Sequence, residues 1–143
     1  MLATYPFSYA IVRVVPHVER EEFVNAGVIV FCDALAFLGA RIELDLPRLL
    51  AMAPDAEVAL LRRHLDAIPR ISLGGESGGA IGLMPIRERW QWLLAPRSTM
   101  LQTSPAHTGL CKEPKEELER LLAQVVRAPH VVRSPTGRAV RNR

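Results

Sequence analysis

Residues 23–32, FVNAGVIVFC, are apolar on both faces of an extended chain, as a strand in the middle of a sheet must be. The chain enters this segment through Arg20, Glu21 and Glu22, and Asn25 and Gly27 stand inside it. A buried strand has little use for any of these. Glycine in a strand interior marks a bulge or a close backbone approach. With regular alternation Asn25 and Gly27 share one face of the strand. The segment therefore predicts a central strand with a polar corner, and the rest of the fold is arranged around it.

Upstream, YAIVRVV (9–15) is rich in β-branched residues and is stopped by Pro16. The seven residues PHVEREE join the two strands at hairpin length. Downstream, 37–45 alternates cleanly, with Leu38, Ala40, Ile42 and Leu44 against Arg41, Glu43 and Asp45. A three-stranded antiparallel meander results. The middle of the chain is helical. Pro47 suits a first turn, and Asp55 is placed as the N-cap of a helix carrying Val58, Leu61, Leu65 and Ile68 until Pro69. Residues 72–84, with five glycines, read as a flexible loop. Pro85 opens a third helix with Ile86, Trp90, Leu93 and Leu94 at helical spacing. Residues 97–110 are polar and hold one further strand. Pro114 starts a last helix whose stripe is Leu118, Leu121, Leu122, Val125 and Val126, with Pro129 beyond its end. The expected architecture is a single α+β domain over 1–127. Its antiparallel sheet has three to four strands, and helices pack on one face.

Charge separates the body from the tail. Residues 1–127 hold 14 of the 18 basic side chains against all 15 acidic ones, a net of −1. Residues 128–143 carry four arginines and no acid, and are expected to be a disordered basic tail. A nucleic-acid protein shows a basic folded face, so contact with nucleic acid is expected only weakly, through this tail. Cys32 and Cys111 have neither disulfide-framework nor zinc spacing, and no metal or cofactor is expected. No apolar run approaches the roughly 20 residues that span a bilayer. With no leader pattern at the N-terminus, the expected location is cytoplasmic.

The glycines at 74–82 lack the lysine and hydroxyl pair that a phosphate loop needs. Ser104 or Ser98 beside His107 would allow a nucleophile and base, without the G-x-S-x-G elbow. His64 reads as a solvated helix flank. Arg20, Glu22 and Asn25 either pair and cap locally or form a site. Arg97 and Ser98 either cap a helix or bind an anion. Trp90 and Trp92, two apart on a helix, lie about 200° apart around it. Trp90 should be core and Trp92 should face outward, which makes Trp92 the candidate interface residue for a partner or a second copy.

The chain resembles the bacterial domain-of-unknown-function family 3037. The likeness lies in Tyr9-Ala10-Ile11-Val12-Arg13-Val14-Val15-Pro16 and in Arg20-x-Glu22-x-x-Asn25-x-Gly27-Val28. It continues in Arg89-Trp90-x-Trp92-Leu93-x-Ala95-Pro96-Arg97-Ser98 and in Gln102-x-Ser104-Pro105-x-His107-Thr108-Gly109. The polar positions of that pattern are Arg20, Glu22, Asn25, Arg97, Ser98 and His107, and they form the candidate polar cluster. The family has no established activity, and its members tend to be encoded beside HipA-like kinase-domain proteins. The resemblance thus implies a non-catalytic accessory or interaction role with such a partner. The alternative is a small enzyme or anion-binding protein with a pocket between 20–27 and 97–109.

Overall fold

The decapeptide forms β2 (Val24–Cys32), hydrogen-bonded on one side to β1 (Tyr5–Val14) and on the other to β3 (Phe37–Ile42). A computed structural model describes residues 3–95, 100–127, 131–133 and 139–141. Both hairpins are antiparallel, as the meander requires. Five strands make up the sheet, where three or four were expected. Residues 101–111 supply two short ones, β4 (Leu101–Thr103) and β5 (His107–Cys111), which follow each other along the free side of β1.

The apolar residues of β2 divide between two cores. Val28, Val30 and Cys32 face one side with Phe7 of β1; Ile29 and Phe31 face the other with Ala10, Val12 and Val14. Each face needs its own cover, so the helices lie on both sides of the sheet rather than on one. α1 (Leu46–Met52), α2 (Val58–Leu73) and α4 (Ile86–Leu94) cover the face of Ile29, where Trp90 stacks on Phe31 with ring centres 5.5 Å apart. α5 (Pro114–Val125) covers the other with Leu118, Leu121 and Leu122.

β2 contains the bulge that Gly27 suggested. Val12 pairs with Gly27 but Arg13 with Asn25, so Ala26 is the extra residue. The inserted residue reverses the alternation, because paired residues share a face. Ala26 joins the core under α2, and Asn25 turns to the α5 side, away from Gly27. The expectation that Asn25 and Gly27 share a face fails for this reason. Gly27 meets β3 closely; a Cβ there would stand 2.6 Å from the Arg41 carbonyl oxygen.

Three helical expectations change. α2 passes through Pro69 to Leu73, since Ile71 beyond it is buried in the core. Its N-cap is Glu57, with no side-chain cap bond, while Asp55 lies outside the helix. Residues 76–78 make a 3₁₀ turn and 79–82 form α3 (Gly79–Gly82), in place of an unstructured loop. In the tail, β6 (Val131–Arg133) and β7 (Ala139–Arg141) pair antiparallel in a stretch expected to have no structure. Among the described residues no helix is long and apolar enough to cross a membrane.

Candidate functional site

α2 presents Leu61, His64, Ala67, Ile68 and Ile71 along one stripe, at the i, i+3, i+4 and i+7 spacing of a helix face. Opposite it stand Trp92, Leu93 and Ala95 at the end of α4, and residues 100–103 leading into and forming β4. Val12 of β1 is also in the wall. These elements border a partly open cavity of about 400 Å³. Two alanines, Ala67 and Ala95, stand where larger side chains would close it. Among the described residues the lining is mostly apolar, with His64, Gln102, Thr103 and the indole N–H of Trp92 as its polar side-chain groups. Trp90 is core, as expected. Trp92 is neither core nor outward: it is half buried in the cavity wall and packs against the α2-side core.

The polar positions marked in the sequence are mostly occupied in holding the fold. Arg20 pairs with Glu22 in solvent, beside a 3₁₀ turn. Asn25 donates from Nδ2 to the Val125 carbonyl at 3.0 Å, satisfying one of the free acceptors at the end of α5. Its Oδ1 and the Arg13 Nε are buried with no hydrogen-bond partner among the described residues. The Arg13 guanidinium lies 4.3 Å over the Phe23 ring. Ser104 is buried. Its backbone N–H donates to the Ile11 carbonyl, its Oγ accepts from the Ile11 N–H at 2.8 Å, and its hydroxyl donates to the Pro105 carbonyl. The serine side chain thus replaces a backbone acceptor where β4 gives way to β5. A hydroxyl committed on both sides is poorly placed as a nucleophile for His107. That histidine is exposed on β5, with its ring 5.1 Å from Tyr9. Arg97 and Ser98 lie outside the described residues.

The described parts of 20–27 and 97–109 do not meet. Asn25 and Gln102 pair with Arg13 from opposite sides, so β1 stands between them. Two strand spacings are roughly 10 Å. His107 pairs with Tyr9, four residues further along β1. The two cysteines are no better suited to chemistry. Burial, with Cys32 beside it, pushes the Cys111 thiol above its usual range, which favours the inert form. Among the described residues no three metal-ligating side chains are grouped to hold an ion.

Two features are not visible in the residue pattern. Arg89 donates from Nη1 to the carbonyls of Ile71 (2.9 Å) and Ser72 (2.7 Å), and from Nε to that of Met84 (3.0 Å). One guanidinium therefore ties both ends of the glycine-rich segment, and the Gly75 N–H to Gly82 carbonyl bond closes it from within. On this fixed base Leu73 and Leu83 stand 81% and 68% exposed. The only signal of it in the sequence is Arg89 itself, an arginine next to a core tryptophan. His64 is exposed, as expected of a solvated flank, and is also the one ionisable side chain among the described residues of the cavity wall.

The chain matches no curated protein and no solved structure. A family described as "Protein of unknown function (DUF3037)" matches residues 9–126, which take in most of the sheet, the cavity and α5. The chain belongs to the DUF3037 family.

Proposed function

We propose that this chain is a non-catalytic accessory domain that docks on a protein partner through Leu73 and Leu83. The observation that carries this is their rigid exposure. Scattered surface leucines are ordinary. These two flank a turn held by three guanidinium bonds and a glycine–glycine bond, so the apolar pair is presented without the entropy loss that ordering a loose loop would bring. Arg20 and Glu22 pair with each other, and Asn25 and Ser104 are engaged in hydrogen bonds that hold the fold, which supports binding over catalysis. The family resemblance makes a HipA-like kinase-domain protein the expected partner.

A photo-crosslinking amino acid at position 83, introduced in the native host, tests the reading. A protein adduct should form there, should not form from position 119 on α5, and should disappear in the Leu73→Ser variant. Equal labelling from both positions, or none from 83, would overturn it.

A further inference from the structure

The cavity between α2, α4 and β4 is separate from the leucine pair. We infer that it is a binding site for a small apolar monocarboxylate, an aliphatic or aromatic acid of about a dozen heavy atoms. Size sets the first limit. A space of about 400 Å³ has room for a molecule of that class. It also falls within the usual range for sites that bury most of a small ligand.

Chemistry sets the second limit. Among the described residues of the wall, none is acidic and none is lysine or arginine. An apolar body is therefore well accommodated, and the polar side-chain groups among the described lining residues are those of His64, Gln102, Thr103 and the indole N–H of Trp92.

Charge sets the third limit. Arg63 and Arg70 flank the lining residue Ala67 at i−4 and i+3 on α2. Both are exposed, and neither forms an ion pair with another described residue. Arg62 adds a third positive charge to the helix, against one acid, Asp66. On α4, Arg87 is neutralised by Asp33, Glu88 is exposed, and Arg89 is spent on carbonyls. The field beside the α2 wall is thus positive, which favours an anionic head over a cationic one. An anion held at the mouth keeps its water while its tail is buried, so no charge is taken into the apolar interior.

The probe is decanoate, compared with decyltrimethylammonium, titrated calorimetrically into the full chain. Decanoate should saturate a single site with half-saturation below about 1 mM, in keeping with modest energy per heavy atom. The cation should bind at least about tenfold more weakly, a difference of about 1.4 kcal/mol. Trp92 emission should change on binding, and that change should be lost in Trp92→Phe. Arg63→Glu with Arg70→Glu, both on the surface, should weaken decanoate and leave the cation unchanged or tighter. Ala67→Phe should block both. Leu73→Ser should affect neither, which keeps this result independent of the partner reading. Absence of saturable decanoate binding, or cation binding as tight as decanoate, overturns the inference. So does decanoate binding that survives Ala67→Phe.

Discussion

The two faces of the sheet are covered in different ways. On one, a single helix, α5, lays Leu118, Leu121 and Leu122 onto Phe7, Val28 and Val30, and Asn25 holds its last turn. On the other, α1, α2 and α4 share the work, and where α2 and α4 part beside β4 a cavity is left. A matched helix seals its face; helices arriving from different directions leave space between them. The α5 face should therefore answer to packing, and the α2 face should tolerate change.

The sharpest way to break this contrast is to truncate one side chain on each face. Leu122→Ala removes a fully buried side chain from a sealed core and should destabilise the fold by about 2–5 kcal/mol. Trp92→Ala removes a larger side chain, but from the wall of an existing cavity, and should cost less than about 2 kcal/mol in the same urea titration. If Trp92→Ala proves the more damaging, the two faces are not different in kind.

An effect of intermediate size should come from the close approach of β2 to β3. Gly27→Ala adds one methyl against the Arg41 carbonyl and the Ile42 side chain, and should cost about 1–3 kcal/mol with the helices intact by circular dichroism. An unchanged midpoint would show that β3 yields there and that the bulge does not fix the strand spacing.

The smallest lies on the surface. The Arg87 guanidinium, by hydrogen bond and by charge, holds the Asp33 carboxyl below its usual range. A depressed folded pKa adds stability above the unfolded value, near 4, and that contribution is lost as pH falls through the folded value. Asp33→Asn should therefore lower Tm slightly at pH 7, less than the changes above, and the difference should shrink as pH falls below the ordinary carboxylate range and in high salt. A difference that persists in acid would mean that Asp33 acts through packing.

Much of this fold is legible in the order of its residues. Alternation over 37–45 and double-faced apolarity over 23–32 are strand properties, and the stripe from Leu118 to Val126 is a helix property. The distribution of helices between faces is implicit in β2, since a strand apolar on both sides needs two covers. What cannot be read there depends on register or on distant partners. Asn25 changes face only because Ala26 is unpaired, and it bonds 100 residues away. Ser104 finds its role across 93 residues. Arg89 recognises carbonyls, which every residue carries, so no side-chain pattern announces its targets. A cavity is the space between stripes, and each stripe alone looks like ordinary core.

The break between β4 and β5 has a consequence for molecules in a crowd. Along that border of the sheet the register slips by one residue, Pro105 brings no N–H, and Ser104 has turned its side chain inward to stand in for its carbonyl. A stray extended chain drawn to this rim would find two short rows of donors and acceptors out of step with each other, with a gap between them. Growth of the sheet by adding strands, the first step towards insoluble fibres, meets an obstacle there that is written into Ser104 and Pro105.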